Sequence, residues 1–144
     1  MLEFVLVTAI LVAGTVAVHS VGLAFLLNRV ARHAARPPRA ILPVAWLLIR
    51  VTWLLLLIHA AEIMIWGLYF LWEGHLPDLE SAIYFSGVTY FTIGYGDVLM
   101  ARPWRMAAPI EGATGILMCG LSTGLFFAIV TRIYGAQAKA ENSQ

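Results

Sequence analysis

Three long apolar stretches restrict what this sequence can fold into. Residues 4–27 contain no charged side chain, and a helix needs about 20 apolar residues to cross the hydrocarbon core of a bilayer. Residues 44–72 and 104–134 are also long enough to cross. The chain is 61% hydrophobic and 12% charged, with a mean hydropathy of +0.85, which is too apolar for a soluble domain. We therefore expect an all-α membrane protein with three transmembrane helices.

The first stretch is predicted to be a retained helix over residues 1–27. It is too long for a cleaved signal peptide, and its start carries Glu3 and no Lys or Arg. Residues 28–43 follow as a loop containing Arg29, Arg32, Arg36 and Arg39. Short arginine-rich loops stay cytoplasmic, which predicts an outside N-terminus and a cytoplasmic C-terminus. The short chain without an appended domain favours a prokaryotic inner membrane as the plasma membrane concerned.

A different pattern lies between the second and third crossings. Residues 78–91 are apolar and helix-like but too short to span the bilayer. They lead directly into residues 92–97, where Gly94 and Gly96 are two positions apart. Non-helical backbone at membrane depth is tolerated only where protein buries it or where it lines a water-filled path. We therefore predict a re-entrant loop, formed by a short helix that enters the membrane and an extended segment that returns.

The two glycines suggest what the returning segment does. Glycine has no Cβ and readily takes positive φ, so successive carbonyl groups can all face one side. Four copies around an axis would then form rings of carbonyl oxygens, which can replace the hydration shell of a monovalent cation.

Residues 92–97 read Thr-Ile-Gly-Tyr-Gly-Asp and resemble the signature of tetrameric potassium channels at every position. The resemblance covers the two-helix pore module of that family: an outer helix at 44–72, a pore helix at 78–91, the selectivity filter at 92–97 and an inner helix at 104–134. Residues 1–27 are an extra helix on this plan, and residues 135–144 form a cytoplasmic tail. The resemblance implies a homotetramer in membrane lipid that conducts K⁺ passively. The implied ion-binding residues are Thr92, Ile93, Gly94, Tyr95 and Gly96, with K⁺ held at the first four.

The resemblance also implies residues that support the filter. Asp97 directly follows it, and Tyr84 lies in the pore helix where an aromatic donor to that aspartate occurs in similar channels. Val88 stands where the best-known bacterial two-helix members carry a glutamate that pairs with the aspartate. This chain therefore departs from the family at that pair.

The inner helix carries the hinge and gate candidates. Gly115 falls where the family places its hinge glycine, and tight packing between helices explains a small residue there equally well. Phe127 lies about three turns further on, where four inner helices would converge; packing against the outer helix is the alternative. Gly120 and Thr123 are the remaining candidates.

Ionisable side chains inside the predicted crossings form a second group. His59 and Glu62 lie one turn apart on the second helix, and Glu111 lies on the third. A carboxylate in lipid is costly, so both should face protein. Two interpretations remain open: a protonatable cluster that tunes gating, or a hydrogen-bond network that ties the helices together. His19 is predicted to be a satisfied donor between helices.

No pattern typical of an enzyme occurs, and we predict no catalytic residue. Cys119 is the only cysteine, which excludes an intrachain disulfide and a cysteine-based metal site. K⁺ is expected as the transported ion, and no organic cofactor is expected. The net charge of +1 gives no indication of nucleic acid, and no small-molecule substrate is evident. A weakly selective cation channel and a non-conducting or regulatory pore-like subunit remain as alternatives.

Overall fold

The chain is all-α in the computed structural model, which describes residues 1–33 and 41–141. Its α-helices there are α1 (Leu2–His33), α2 (Ile41–Trp72), α3 (Leu79–Tyr90) and α4 (Ala107–Glu141). A 3-10 turn at Trp104–Met106 precedes α4. Three segments are long and apolar enough to cross a membrane: Leu2–Val30, Ile41–Trp72 and Trp104–Gly135. The predicted fold class is confirmed, and α3, with 12 residues, is too short to cross.

The long helices extend beyond the apolar stretches that predict them. α1 continues to His33 instead of ending at residue 27, α2 begins at Ile41 instead of residue 44, and α4 continues to Glu141. Hydropathy reports the part of a helix that lies in hydrocarbon, whereas the backbone ladder can continue into the headgroup region. Arg36, Arg39 and residues 142–144 of the predicted loop and tail lie outside the described residues.

The start of α3 is fixed by an N-cap at Asp78. The Asp78 backbone is extended, with φ −153°, and its Oδ1 accepts a hydrogen bond from the Ser81 backbone N at 2.8 Å. The Ser81 hydroxyl donates to the other carboxylate oxygen at 3.0 Å. Such a cap satisfies backbone donors that the first turn of a helix leaves free, and is worth about 1 kcal/mol. The re-entrant helix therefore begins at a defined residue.

α1 packs antiparallel to α2, as two hydrogen-bonded pairs of side chains show. Trp66 Nε1 donates to Thr15 Oγ1 at 2.9 Å. Four residues further along α1 and four residues back along α2, His19 Nδ1 lies 2.7 Å from Glu62 Oε1. The two pairs, one helical turn apart, set the register of the antiparallel helices.

Two apolar clusters form the core, one on each side of the His19–Glu62 level. The cluster on the Trp66 side of that level joins buried residues of α1, α2, α3, the loops next to α3 and the start of α4: Leu11, Trp66, Phe70, Leu76, Ala82, Phe85, Met100 and Ala107. The other cluster, called the inner apolar cluster below, joins α1, α2 and α4 through Leu26, Val30, Val51, Leu55, Leu125, Ile129 and Ile133. The positions along the helices therefore place a buried polar layer between two apolar ones.

Candidate functional site

The predicted filter directly follows the C-terminus of α3. Gly94 and Gly96 have φ values of 54° and 78°, in the left-handed region that glycine takes without steric cost. Residues 91–97 are all exposed in the single chain, and the Tyr95 side chain is 70% exposed. Its own subunit therefore covers little of the surface of this segment.

Thr92 ends the pore helix in a strained conformation. Its φ is 57°, its backbone N donates to Thr89 O at 2.9 Å, and Ile93 N donates to Val88 O at 2.8 Å. This is the hydrogen-bond pattern of a Schellman motif, in which glycine usually occupies the left-handed position. A β-branched residue there is a genuine outlier, and such strain is concentrated at functional sites. Thr92 is therefore a strained position at the junction between α3 and the segment that follows it.

Tyr84 and Asp97 are brought together on the other side of the segment. The Tyr84 hydroxyl donates to Asp97 Oδ2 at 2.7 Å, and the Val98 backbone N approaches Asp97 Oδ1 at 3.1 Å. The hydrogen bond from Tyr84 lowers the pKa of the Asp97 carboxyl because it stabilises the ionised form. The same bond raises the pKa of the Tyr84 phenol. The end of the segment is thus tied to the pore helix.

A buried polar network lies behind the start of the segment. Glu62 accepts hydrogen bonds from His19 Nδ1 of α1 and from the hydroxyl of Tyr90, the last residue of α3. His59 Nδ1 lies 2.9 Å from Tyr90 Oη, and its Nε2 lies 3.1 Å from Ser122 Oγ on α4. His19, Glu62 and Tyr90 have no exposed side-chain surface. The network therefore joins all four helices at one level.

Counting protons gives a consistent assignment for this network. A carboxylate can only accept hydrogen bonds, so Glu62 accepts one from His19 Nδ1–H and one from the Tyr90 hydroxyl. Tyr90 Oη can then accept from His59 Nδ1–H, and His59 Nε2 from the Ser122 hydroxyl. When Glu62 is ionised, each of these four bonds has one donor and one acceptor, so Glu62 acts as the central acceptor of the network. Ser122 Oγ also lies 3.5 Å from His19 Nε2, but its single proton is used in the shorter bond to His59.

Glu111 was expected to meet the back of the short helix or the outer helix near His59 and Glu62, and it meets the first of these, in a pair separate from His59 and Glu62. Its Oε1 forms a hydrogen bond with Ser86 of α3, and its Oε2 is buried without a partner. Ser86 Oγ also lies 3.0 Å from the backbone carbonyl of Ile63, which can only accept. Ser86 has a single proton, so each of the two bonds has a proton of its own when the Glu111 carboxyl is protonated and donates to Ser86. We therefore interpret Glu111 as a neutral acid that ties α4 to α3.

The network residues His19, His59 and Glu62 have potential ligand atoms within 4.8 Å of one another, close enough to hold a metal ion. However, His19 Nδ1 and Glu62 Oε1 are already at hydrogen-bonding distance, 2.7 Å. Tyr90 and Ser122 engage the remaining groups. We therefore interpret the cluster as a hydrogen-bond network and not as a metal site.

Gly115 is explained by close packing against the pore helix. A Cβ at residue 115 would lie 2.1 Å from the backbone oxygen of Tyr90, whereas a Cβ at Gly120 would meet no atom within 4 Å. α4 passes through both positions as a continuous helix. Of the two interpretations of Gly115, packing thus has direct structural support.

The gate candidates face away from their own subunit. Thr123 is exposed and Phe127 is 68% exposed. Its own subunit therefore leaves most of Phe127 uncovered, and the choice between a gate and packing against an outer helix stays a prediction. The neighbouring Phe126 packs against the inner apolar cluster instead.

Sequence reasoning missed Tyr90, Ser86 and Ser122, and did not place His19 in the network. All four are polar residues inside apolar helices, which indicates that each needs a polar partner. The sequence does not show which partner, because that depends on how each helix is rotated. The bond between Trp66 and Thr15 sets the register of α1 against α2, and that register places His19 beside Glu62.

A protein-family model described as "Ion channel" matches residues 52–132. No curated protein and no solved structure matches the chain. The matched region covers more than half of the 144 residues and runs from α2 through α3 and residues 92–97 into α4. α1 lies outside it, as an extra apolar helix beside the pore module. The chain therefore belongs to the ion channel family, whose members are membrane proteins that transport ions and are not enzymes.

Proposed function

We propose that four copies of this chain form a K⁺-selective channel, with Thr92, Ile93, Gly94, Tyr95 and Gly96 as the selectivity filter. The observation that carries the proposal is the conformation of this segment immediately after a capped re-entrant helix. Positive φ at Gly94 and Gly96 gives a backbone that can turn successive carbonyl groups toward one axis. Carbonyl rings of this kind coordinate a dehydrated monovalent cation.

Assembly is supported by what a single chain leaves uncovered. Residues 91–97 are exposed, as are Ile116, Leu121 and Phe127 on α4, at 58%, 53% and 68%. An isolated chain offers one set of carbonyl groups, which cannot surround an ion. Neighbouring copies around a common axis would complete the rings and cover the α4 surface. Asp97, tied to Tyr84, would hold the outer end of each filter.

The basic residues give the proposed orientation in the membrane. The loop between α1 and α2 would lie in the cytoplasm, the N-terminus outside and the C-terminus inside, following the excess of Arg in short cytoplasmic loops. The filter and Asp97 would then face the outside. Labelling single cysteines introduced at residues 2 and 141 of Cys119→Ser protein with an impermeant thiol reagent in intact cells tests this orientation: only residue 2 should react.

Ion flux through purified protein in liposomes tests the function. The wild type should carry K⁺ and Rb⁺ but exclude Na⁺, and Gly96→Ala should abolish flux because alanine rarely adopts φ 78°. Gly14→Ala is the matched control, since a Cβ there meets no atom within 4 Å. Equal K⁺ and Na⁺ flux would identify a weakly selective cation channel. No flux from intact tetramers would identify a non-conducting subunit.

A further inference from the structure

We propose that His19 of the extra helix α1 is a positioning residue for the selectivity filter, acting through Glu62 and Tyr90. This inference rests on the proposed function of residues 92–96. It assigns α1, which lies outside the matched residues 52–132, a role in ion selection at a site to which it contributes no ligand.

The first step is that Tyr90 is fixed at both its backbone and its side chain. Its carbonyl oxygen lies in the space that a Cβ at Gly115 would need, and its hydroxyl donates to Glu62. Tyr90 is wholly buried and stands two residues before Thr92. A displacement of Tyr90 is therefore transmitted to the filter through a single intervening residue, Phe91.

The second step is that His19 orients the acceptor on which Tyr90 depends. Glu62 has two carboxylate oxygens, of which Oε1 faces His19 Nδ1 at 2.7 Å and Oε2 receives the Tyr90 hydroxyl. His59 Nδ1 lies further from Oε2, at 3.4 Å. Without His19, Oε1 would be a buried charged acceptor lacking a donor, and such a group reorients or draws in water because its desolvation is costly. Rotation of the carboxylate would move Oε2 away from Tyr90.

The third step is that strain makes the filter entrance sensitive to this support. Thr92 has a φ of 57°, which persists only while surrounding contacts hold it. The amides of Ile93 and Gly94 both donate to Val88 O, at 2.8 and 3.1 Å. Val88 and Tyr90 belong to the same last turn of α3, so loss of the Tyr90 anchor should loosen these two bonds.

Thr15 supplies a matched control for the effect of weakening the α1–α2 contact. It lies one turn from His19 on α1, is equally buried, and also bonds to α2, through Trp66. It has no bond to Glu62 or Tyr90 among the described contacts. His19→Asn is the conservative variant, because the asparagine amide can donate from nearly the position of Nδ1.

The experiment makes two kinds of measurement on wild type, His19→Ala, His19→Asn and Thr15→Ala. One is electrical recording of reconstituted channels, which gives the mean open time and the Rb⁺/K⁺ permeability ratio. The other is hydrogen exchange of the Ile93 and Gly94 amides, which does not depend on conduction. His19→Ala should change mean open time by at least about threefold and speed exchange, His19→Asn should restore both, and Thr15→Ala should leave both near wild type. Tyr90→Phe should have the same effect as His19→Ala, and combining the two should add little.

The outcomes separate this inference from the proposed function. Faster exchange in His19→Ala, in protein that conducts without K⁺ selectivity, would uphold the link to the segment and reject its role as a K⁺ filter. Selective wild-type channels in which His19→Ala and Thr15→Ala behave alike would overturn the inference. If His19→Ala does not assemble, wild-type behaviour of Tyr90→Phe would overturn it equally.

Discussion

The backbone carbonyl of Tyr90 lies against Gly115, so that the end of the pore helix rests directly on the backbone of α4. A Cβ at residue 115 would lie 2.1 Å from Tyr90 O and 2.9 Å from the carbonyl carbon. Neither atom can move without moving the backbone that leads into the proposed filter. The contact therefore makes glycine a requirement of packing at this position.

We predict that Gly115→Ala pushes the end of α3 away from α4 and destabilises their contact. Overpacking of this kind typically costs about 1–3 kcal/mol, so the variant should unfold at a lower temperature and exchange the α3 amides faster. Gly120→Ala is the control, because a Cβ there meets nothing within 4 Å of its own chain. A Gly115→Ala protein with unchanged stability and exchange but altered gating would instead indicate that this glycine acts as a hinge.

Removing the Tyr84 hydroxyl should weaken the outer end of the proposed filter. Because the bond from Tyr84 lowers the pKa of Asp97, its contribution is full above the ordinary aspartate pKa and is lost as the pH falls through the lowered value. The wild type should therefore keep a constant open lifetime from neutral pH down to the ordinary aspartate range. Tyr84→Phe should shorten that lifetime at neutral pH.

Single-channel recordings across external pH would check this prediction, with Asp97→Asn for comparison. Tyr84→Phe should also move the remaining acid-dependent transition to higher pH, because the Asp97 pKa returns toward its ordinary value. Identical open lifetimes in wild type and Tyr84→Phe at every pH would show that the bond does not support the filter.

The two buried carboxyl groups should respond differently to replacement by the neutral amide. Glu62 accepts hydrogen bonds from both His19 and Tyr90. In glutamine an NH₂ group replaces one of the two oxygens, so one of these donors would face another donor and lose its acceptor. Glu62→Gln should therefore lower the free energy of unfolding by about 1–3 kcal/mol.

Glu111→Gln should be close to neutral by comparison, because the proton count at Ser86 makes Glu111 a donor and a glutamine amide can also donate. Thermal unfolding of both variants in detergent would compare them. If Glu111 titrates during gating, Glu111→Gln should change the pH dependence of the current. The hydrogen-bond geometry instead predicts that the pH dependence stays as in the wild type.

The sequence predicted the three crossings and the short helix because each depends on local properties. Crossings follow from the number of consecutive apolar residues, and the short helix follows from an apolar run over residues 78–91 that is too short to span the bilayer. The contact between Tyr84 and Asp97 was predicted from the resemblance to tetrameric potassium channels, in which an aromatic donor occupies the position of Tyr84.

The partners of the buried polar groups could not be predicted in the same way. His19 meets Glu62 only because Thr15 and Trp66 fix the register of α1 against α2. Glu111 meets Ser86 and not Glu62 because of the rotation of α4 about its own axis. Hydropathy gives the depth of a residue in the membrane, but packing of side chains sets both register and rotation.

The last prediction concerns Phe127, which we expect to form a gate at the cytoplasmic end of the pore. Helical spacing places Ile116, Thr123 and Phe127 on one side of α4, and all three are exposed in the single chain. Phe127 lies about three turns beyond Gly115, where inner helices would converge in a closed tetramer. Four phenyl rings there could exclude water and block ions without a physical plug.

Phe127→Ala should therefore raise the open probability while leaving the K⁺/Na⁺ permeability ratio unchanged, since the filter is a separate site. The adjacent Phe126 provides the control, because it packs against the inner apolar cluster of its own chain. Phe126→Ala should lower the unfolding temperature, by the loss of buried apolar contact, without raising the open probability. Phe127→Ala should show the reverse pattern, with little loss of stability in the subunit. If Phe127→Ala instead destabilises the tetramer and surviving channels open as the wild type does, Phe127 is a contact between subunits and the gate lies at the filter.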